Sequence, residues 1–412
     1  MENVIVIGAG VVGICCARHL QRAGFSVTVL DTLAPGEATS SGNAGGIAVS
    51  EVIPLAVPGQ SWRVPGYLFD SMGPLSIQWS YVPQLAPWLI RFWLACNRAR
   101  AEKAISANVS LTAQAQRELD TLLTESGIAD IVVREDCLTV YESEANYRRD
   151  QWAWERRRSN GLQSRELSPS EIRKLEPELA SIFERGVLNE GYFHVRDPLR
   201  LTKTLARTFV ENGGIVNIDE AQALGLSEDG RPYVKLASGR QWPCDRIVVA
   251  AGAWSHRLTA TLGDLVPLET ERGYSTTLPN ANTGLRRQII SAEHAFVMTP
   301  MEMGLRLAGT VELAGLRHPP NWARADVLVT KASRFLPNLN TSEGKRWMGH
   351  RPGLPDCLPV IGRSRKSARV LYAFGHGHLG LTMAAITGRV IADLAMGTDP
   401  GIDLSPFQVD RF

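Results

Sequence analysis

The sequence predicts an α/β protein in which a doubly wound domain is interrupted by a second domain built on a mixed or antiparallel sheet. Three observations support this fold class. A strand, a helix and another strand follow one another within about 30 residues of the start, the scale of a parallel β-α-β crossover. A strand, a glycine turn and a helix return near the C-terminus. Between about residues 265 and 350, apolar and polar residues alternate, as in an antiparallel sheet.

The first three elements make up one β-α-β unit. A short apolar run at residues 3–7 ends in glycines, which is typical of a buried strand. Residues 11–23 are predicted to form a helix that Gly24 caps, and residues 26–30 to form the second strand. The glycines therefore stand where the first strand turns into the helix.

Later elements carry turn and cap signals of their own. Glycine, serine and asparagine crowd residues 36–46, which predicts a loop. Residues 75–180 look mostly helical, with an extended piece near residues 130–141. Asp197 and Pro198 begin another helix, since proline suits a first turn. Further strands are expected at residues 215–218, 233–236, 246–250, 298–311 (turning at Gly304) and 370–374, and a last helix at residues 380–396.

The composition is that of an ordinary globular chain. Of the 412 residues, 44% are hydrophobic and 21% are charged, and the formal net charge is +2. A length of this size predicts two or three domains. Because the charges nearly balance, nothing indicates nucleic acid as a partner.

The six cysteines show no C-x-x-C pair, and we expect them to be reduced, mostly buried thiols of a cytosolic protein. No metal site is predicted. The chain starts on its first apolar strand without a basic leader, and it has no apolar run of about 18 residues, so we expect no signal peptide and no membrane span. Residues 85–96 (LAPWLIRFWLAC) predict an amphipathic helix, packed in the protein or lying shallowly on a membrane surface.

A glycine motif, G8-A-G-V-V-G13, joins the first strand to the first helix. Gly8 permits a tight turn, Gly10 lets a pyrophosphate approach the backbone, and Gly13 lets helix and strand pack closely. Asp31 ends the second strand at about the 20-residue distance where a carboxylate meets ribose hydroxyls, and it would repel the 2′-phosphate of NADP. The unit therefore predicts a Rossmann-like dinucleotide site, although this motif does not separate FAD from NAD.

Three later motifs add to this site. Residues 40–46 (SSGNAGG) offer small side chains and backbone donors to a cofactor, or they form a flexible surface loop. Residues 248–254 run from a buried strand into a turn at Gly252, which would pass the dinucleotide or merely pack. Residues 375–382 (GHGHLGLT) join a strand to a helix whose N-terminus would stabilise a reduced, anionic flavin ring. A flavin explains this last motif better than a nicotinamide does.

Taken in order, these motifs resemble those of the D-amino-acid oxidase-like superfamily of flavoenzymes. The resemblance runs through GAGVVG, SSGNAGG, VVAAGAWS, RPGLPDCLPVIG and GHGHLGLT, and it covers nearly the whole chain. Within the superfamily, residues 88–104 (WLIRFWLACNRARAEKA) look most similar to the D-amino-acid dehydrogenase group. The covalent-flavin cysteine of sarcosine oxidases has no match, since Cys357 lies in a different local pattern. The resemblance thus implies noncovalent FAD.

The resemblance also implies a domain division and a set of cofactor-binding residues. Residues 1–75, 190–265 and 350–412 would form a discontinuous FAD-binding domain, and residues 76–189 and 266–349 the substrate domain. The residues expected at FAD are Gly8, Gly10, Val12, Gly13, Asp31, Ser40, Ser41, Asn43, Ala44, Gly45, Gly252, Gly375, Gly377, Leu379, Gly380 and Thr382.

Arg351 opens the R-P run and matches the arginine that binds the substrate carboxylate in amino-acid oxidases of this type. A guanidinium can hold a carboxylate by two parallel hydrogen bonds, which would orient the substrate Cα for hydride transfer. The competing interpretation is a structural ion pair.

Four further residues are weaker candidates by the same comparison. His294 and Phe296 fall where related oxidases carry pocket residues, often including a tyrosine, and Tyr274 would supply that hydroxyl or belong to the core. His378 falls at a pocket-facing position, although a lone histidine is as often structural.

The sequence therefore predicts an FAD-dependent dehydrogenase that oxidises the Cα–N bond of a small amino acid to an imine or a 2-oxo acid. The D configuration is inferred from the resemblance alone, and a proline-like substrate is a candidate because the pocket is expected to be apolar. The alternatives are a glycine- or sarcosine-type oxidase that uses O2, an N-demethylating dehydrogenase, and an FAD-binding subunit inactive without a partner. A quinone or another electron carrier is expected as acceptor, and the location is expected to be cytoplasmic, with peripheral contact at the inner face of the cell membrane as a further option.

Overall fold

The computed structural model describes residues 1–59, 66, 70 and 72–412. Its strands, numbered along the chain, are β1 (Asn3–Ile7), β2 (Ser26–Asp31), β3 (Gly46–Ile47), β4 (Leu75–Ile77), β5 (Val132–Val133), β6 (Cys137–Tyr141), β7 (Ser164–Leu167), β8 (Arg185–Asn189), β9 (Phe193–Val195), β10 (Ile215–Ile218), β11 (Ala221–Leu226), β12 (Pro232–Leu236), β13 (Gln241–Pro243), β14 (Arg246–Val249), β15 (Glu269–Leu278), β16 (Ile289–Ser291), β17 (Phe296–Met301), β18 (Gly304–Leu313), β19 (Lys345–Gly353), β20 (Val360–Arg363) and β21 (Val370–Phe374).

The helices of the described residues are α1 (Val11–Arg22), α2 (Val82–Ala95), α3 (Arg98–Glu125), α4 (Glu144–Arg149), α5 (Gln151–Ser159), α6 (Pro169–Leu175), α7 (Pro198–Glu211), α8 (Ser255–Thr261), α9 (Ala323–Phe335) and α10 (Gly380–Met396). Single turns of 3-10 helix at Gly252–Trp254 and Gly377–Leu379 precede α8 and α10. The predicted caps are present: the Asp197 side chain accepts from the backbone N–H of Leu199, and Gly24 has φ +89.

Six strands of the described chain form the first sheet, in the order β10-β2-β1-β14-β21-β20. Neighbours are parallel except at the β20 edge, where β20 runs antiparallel to β21. Successive residues of β1 pack into different hydrophobic clusters, Val4 and Val6 into one and Ile5 and Ile7 into another. Both faces of the sheet are therefore covered, as a parallel sheet requires.

The second large sheet follows the order β19-β15-β18-β17-β16-β6-β8-β7, with β4 pairing β18 beside this path. Most neighbours are antiparallel, but β16 runs parallel to β6 and β4 runs parallel to β18. In the β15–β19 pair, the register places Glu271 opposite Arg351. The prediction of a doubly wound domain joined to a mixed or antiparallel sheet is confirmed.

Two smaller sheets complete the described fold, β11-β12-β13 and β3-β9-β5. The short strands β4 and β7 were not expected within the segment predicted to be mostly helical. Strand β7 (SREL) is a sheet edge with half of its residues exposed, so it carries no apolar periodicity to reveal it. The proposed domain boundaries remain a prediction, although all six strands of the first sheet fall within the ranges assigned to the FAD-binding domain.

The first and last helices cross closely behind the first sheet. A Cβ on Gly388 of α10 would stand 2.6 Å from the backbone oxygen of Cys15 in α1, so the glycine permits this crossing. Among the described residues, one segment (Gly377–Met396) is long and apolar enough to cross a membrane, but 78% of that window is buried in the protein. By its burial it serves as a core helix.

Candidate active site

A cavity of about 1250 Å³ lies where the carboxyl ends of β1 and β2 face β15, β18 and β19. It exceeds the ~300–1,000 Å³ of usual small-molecule pockets, so it has room for a dinucleotide and a substrate together. Most of the residues predicted at the cofactor border it: Gly8, Gly10, Val12, Asp31, Ser40, Asn43, Ala44, Gly45, Gly252, Gly377, Leu379 and Gly380.

The glycine motif has the geometry that its spacing predicts. Gly8 adopts φ +114, and a Cβ there would lie 2.3 Å from the oxygen of Ala250 on the neighbouring strand's end. A Cβ on Gly13 would lie 1.9 Å from the oxygen of Gly8, so the close packing of α1 on β1 requires glycine. Gly10 begins α1 and borders the cavity, where helix N–H groups favour a phosphate.

Asp31 anchors the turn and also faces the cavity. One carboxylate oxygen accepts the backbone N–H of Ala9 at 2.6 Å, and the other accepts that of Leu33 at 3.1 Å. These contacts fix the carboxylate at the end of β2, the position at which a ribose is bound in this fold.

Hydrogen bonds hold the loop of residues 40–46 in a defined conformation, which argues against the flexible-loop interpretation. Ser40 Oγ accepts the backbone N–H of Val11 at 3.0 Å, so it caps the first turn of α1. The Asn43 amide donates to the oxygen of Ser40 at 2.7 Å and accepts the N–H of Gly45 at 2.7 Å.

Side chains of the second sheet hydrogen-bond to the same loop from behind, and no sequence motif marked them. The Arg306 guanidinium donates to the oxygens of Ser41 and Asn43 at 2.9 and 3.0 Å. Thr299 and Gln288 both donate to the oxygen of Ala44 at 2.9 Å. Burial lowers the pKa of Arg306, and Asp197 opposes that shift.

The late glycine turn places the N-terminus of α10 at the cavity. Gly377 has φ +53, and His378, Leu379 and Gly380 follow it along the cavity wall. A helix of 17 residues presents a partial positive charge there, suited to an anionic ring edge.

Four predicted cofactor residues, Gly13, Ser41, Gly375 and Thr382, lie behind the wall and do not border the cavity. Their contacts explain the positions. Gly375 (φ +85) packs against Leu354, and Ser41 Oγ donates to the oxygen of Ala38 at 2.9 Å. Thr382 Oγ1 accepts the N–H of Ala48 at 3.0 Å, tying α10 to the loop. Their role in this structure is to support the wall.

Arg351 borders the cavity as predicted. Among the residues that the structure describes, none forms a hydrogen bond or an ion pair with its guanidinium, which argues against the structural ion pair. Burial lowers the Arg351 pKa, while Glu271 raises it. A guanidinium in this position is chemically suited to bind an anion.

His378 also borders the cavity, near Arg351 and Glu51. Burial lowers its pKa, the charge of Glu51 opposes the shift, and Arg351 reinforces it. His350, which the sequence did not single out, accepts from or donates to Thr270 Oγ1 through Nδ1 at 2.9 Å, and burial lowers its pKa to about 4. His350 is therefore a neutral hydrogen-bonding group at neutral pH.

Tyr274 and His294 were expected at the substrate, and the structure corrects both. Successive β15 side chains point to opposite faces, and Tyr274 lies on the face away from the cavity, donating to Glu312 at 2.6 Å. His294 Nε2 lies 2.6 Å from a carboxylate oxygen of Glu142, and its ring packs against Phe335. Phe296 is likewise core. Sequence position alone did not reveal that the strand residues Tyr274 and Phe296 face away from the cavity.

Residues that the sequence did not single out complete the cavity wall. Glu271 adds a further carboxylate beside Arg351, and Trp347, Trp254, Trp88 and Phe92 form an aromatic part, with the last two rings stacked at 5.3 Å. The two rings come from α2, so this helix is partly packed in the protein, as one of its two interpretations predicts.

A Gly-x-Gly-x-x-Gly turn, a ribose-binding carboxylate and a second helix N-terminus at one cavity define a dinucleotide-dependent oxidoreductase. Comparison with known proteins makes this specific. The family described as FAD dependent oxidoreductase matches residues 3–394, and the chain belongs to it. It is an FAD-dependent oxidoreductase that acts on amino acids.

Curated relatives and solved structures agree with this assignment. The chain is 41% identical to a D-amino-acid oxidase of Bradyrhizobium diazoefficiens and 32% identical to a D-amino acid dehydrogenase of Paramagnetospirillum magneticum, each over 100% of this chain and 99% of the relative. It has the fold of glycine oxidase from Geobacillus kaustophilus, with a TM-score of 0.76 at 19% identity over 100% of both chains.

The residues present fit FAD. The glycines leave no Cβ on the path where Gly10 meets the cavity, Asp31 is fixed at the ribose position, and the cavity continues from there to the N-terminus of α10. Gly8, Gly10 and Asp31 would hold the adenosine half, residues 40–46 the pyrophosphate, and residues 377–380 the flavin edge.

Proposed function

We propose that the protein is a dehydrogenase that oxidises the Cα–N bond of a small D-amino acid, proline-like amino acids included, to an imine that hydrolyses to a 2-oxo acid or stays cyclic. The observation that carries the proposal is Arg351, a guanidinium that borders the cavity with no protein hydrogen bond or ion pair among the described residues. The names of the two relatives support the D configuration.

The chain's own residues have distinct tasks in this reaction. FAD, when bound, supplies a flavin that accepts a hydride from the substrate Cα. Arg351 holds the substrate carboxylate and so orients the Cα–H bond toward the cofactor. The N-terminus of α10 provides partial positive charge at the flavin edge. Trp88, Phe92 and Trp347 exclude water and give the side-chain pocket an apolar wall.

The test is anaerobic bleaching of the flavin absorbance by D- and L-amino acids, prolines and N-methylglycine in turn. Rapid bleaching by a D-amino acid or a D-proline supports the proposal, and the fastest compound identifies the substrate. Bleaching by N-methylglycine with release of formaldehyde would indicate N-demethylation. A yellow protein that none of these compounds bleaches would contradict the proposal and favour a subunit that needs a partner.

An oxidase is the second candidate, favoured by the 41% identical relative, which is a D-amino-acid oxidase. The two differ in the electron acceptor. A dehydrogenase is reoxidised slowly by O2 and quickly by a quinone analogue, whereas an oxidase releases one hydrogen peroxide for each substrate oxidised in air. Stopped-flow reoxidation of the reduced protein, with peroxide measured in parallel, separates them.

We further propose noncovalent FAD. In the described chain, the cavity wall contains no cysteine, and burial raises the pKa of the Cys357 thiol to about 12, so it is not a nucleophilic thiolate. Precipitation with acid should release all of the yellow colour into the supernatant. Colour retained in the pellet would contradict this proposal.

We also propose that the acceptor is a quinone or another electron carrier and that this otherwise cytoplasmic protein touches the inner face of the cell membrane. Trp79, Ile90, Trp93 and Leu94 are 69%, 59%, 62% and 50% exposed on and beside α2, and we call this group the α2 surface. Exposed basic residues adjoin it: Arg91, Arg98, Arg100 and Lys103. An apolar face flanked by positive charge suits an anionic lipid surface.

The α2 surface also lies close to the redox site, because the opposite side of α2 supplies Trp88 and Phe92 to the cavity. Co-sedimentation with vesicles tests the contact. Anionic vesicles should bind the protein, zwitterionic ones should bind it weakly, and Trp93→Ser should weaken binding more than Trp322→Ser, a change at a tryptophan 39% exposed elsewhere. If both variants sediment with anionic vesicles to the same extent as the wild type, the proposed membrane contact is wrong.

A further inference from the structure

Glu271 and Arg351 face each other across two strands at the cavity. They are Cα partners in the antiparallel β15–β19 pair, and both side chains border the cavity. Opposite charges in direct register commonly pair and contribute to sheet stability. Within the described chain these two form no hydrogen bond and no ion pair, although each influences the pKa of the other.

Two glycines account for the separation of the charges. A Cβ on Gly273 would lie 2.3 Å from Cζ of Arg351, so the guanidinium leans over Gly273 on β15. A Cβ on Gly353 would lie 2.3 Å from Oε1 of Glu271, so the carboxylate leans over Gly353 on β19. Gly353 pairs with Glu269 and Gly273 pairs with Gly349, on opposite sides of the Glu271–Arg351 pair. The two side chains therefore diverge along the strands.

Because the two side chains diverge, neither the Glu271 carboxylate nor the Arg351 guanidinium has a paired charge among the described residues. An enclosed charge without a hydrogen-bonded partner is costly. Burial raises the pKa of Glu271, the positive charge of Arg351 lowers it, and Glu269 raises it further. The neighbouring carboxylate of Glu269 is different, since it accepts a hydrogen bond from the Tyr81 hydroxyl at 2.9 Å and has a structural use.

We propose that Glu271 binds the amino group of the substrate while Arg351 binds its carboxylate, so that the two residues together recognise an α-amino-acid zwitterion. This inference rests on the proposed function and deepens it. A zwitterion carries an ammonium and a carboxylate a short, fixed distance apart. It therefore gives Glu271 and Arg351 an oppositely charged partner at the same time. A carboxylic acid that lacks the amino group satisfies only Arg351.

The experiment compares two ligands of the FAD-loaded protein that differ only in the amino group. The first is the amino acid that bleaches the wild-type flavin fastest, with its apparent Kd taken from the concentration dependence of bleaching. The second is the carboxylic acid with the same side chain and no amino group, with its Kd taken from the shift of the flavin spectrum. Glu271→Gln should raise the Kd for the amino acid by at least about tenfold and change the Kd for the carboxylic acid by less than about twofold.

Matched variants make the result specific. Glu269→Gln removes the same charge from the same strand but not from the cavity, so it should change the amino-acid Kd by less than about twofold. Arg351→Met should raise the Kd for both the amino acid and the carboxylic acid. Glu271→Asp keeps the charge but withdraws it, so it should give an intermediate loss confined to the amino acid, which provides a second test if the glutamine variant loses FAD.

Three results would overturn the inference. The first is an equal rise of both Kd values in Glu271→Gln, which would indicate a structural effect of the substitution. The second is an unchanged amino-acid Kd, and the third is a loss in Glu269→Gln as large as in Glu271→Gln. In all three the wild-type flavin is still bleached, so the proposed function survives. If no amino acid bleaches the wild-type flavin, the proposed function and the inference about Glu271 fail together.

Discussion

Arg351 owes its role to its surroundings more than to its charge. It lies near the end of β19, which among the described strands pairs with β15 alone, and its guanidinium crosses the space that Gly273 leaves free. Burial lowers its pKa, but an arginine in a protein stays protonated. The result is a permanent positive charge held against a cavity wall.

Replacing Arg351 by methionine should raise KM for the amino acid by roughly 10- to 100-fold, since a charge-assisted contact contributes about 1.5–3 kcal/mol. FAD should stay bound, because the change is at the substrate. Steady-state kinetics and the flavin absorbance after gel filtration measure the two effects. Arg346→Met is the matched control, since Arg346 is exposed on the same strand and pairs with Asp326. An unchanged KM in Arg351→Met would remove this residue from substrate binding.

At the scale of elements, the turn between β1 and α1 separates two uses of glycine. Gly13 is needed for packing, since its Cβ would overlap the Gly8 oxygen. Gly10 is not needed for packing in the same way, since the nearest atom to a Cβ there would be the Ser40 hydroxyl at 3.3 Å, and we expect it to leave room for the cofactor in the cavity that it borders.

Alanine substitutions should distinguish these uses. Gly13→Ala should lower the Tm of the FAD-free protein by several degrees, because backbone atoms must move. Gly10→Ala should leave the FAD-free Tm nearly unchanged but raise the Kd for FAD at least about tenfold, because the methyl group occupies the phosphate's approach. Thermal melts and FAD titration of the two apoproteins measure this. Similar melts for both variants would contradict the distinction.

The loop of residues 40–46 depends on a different element, β18, for its shape. Arg306→Met should leave the oxygens of Ser41 and Asn43 without their buried donor, at a cost of about 1.5–3 kcal/mol. We expect weaker FAD binding and a lower Tm, measured by titration and thermal melt. Thr299→Val is the milder companion, since Gln288 still donates to the oxygen of Ala44. A larger effect in Thr299→Val than in Arg306→Met would show that this assignment is wrong.

The contrast between these elements explains what the sequence can predict. The β1–α1–β2 unit, its glycines, Asp31 and the turn before α10 were predicted because backbone contacts and neighbouring residues determine them. Glu271 and Arg306 act through the register of β15, β18 and β19, which long-range pairing determines. Tyr274 was assigned to the site and Glu271 overlooked because side chains three residues apart on a strand face opposite ways.

At the scale of the whole molecule, buried histidines couple stability to pH. Burial lowers the pKa of His19 to about 3 and that of His194 and His376 to about 4. A histidine whose pKa is lower in the folded than in the unfolded state takes up its proton on unfolding. Its contribution is complete above about pH 6.5 and is lost as the pH falls toward about 4.

The free energy of unfolding should therefore fall between pH 7 and pH 5 by about 2 kcal/mol for each such histidine. His376→Gln should reduce that fall by about the same amount, because glutamine binds no proton and can still meet Thr387, whose Oγ1 lies 3.0 Å from His376 Nε2. Urea midpoints of the two FAD-free proteins at both pH values measure it. An equal fall in both proteins would exclude a contribution from His376.

The cavity draws its parts from the whole length of the chain. Gly8 lies near one end, Arg306 holds the loop of residues 40–46 from the middle of the second sheet, and α10, which closes the flavin edge, is among the last elements to be made. During synthesis on the ribosome, the N-terminal β-α-β unit emerges hundreds of residues before the groups that complete its binding site. We therefore expect FAD to be captured late, and an incomplete translation product to lack part of the surface that would retain it.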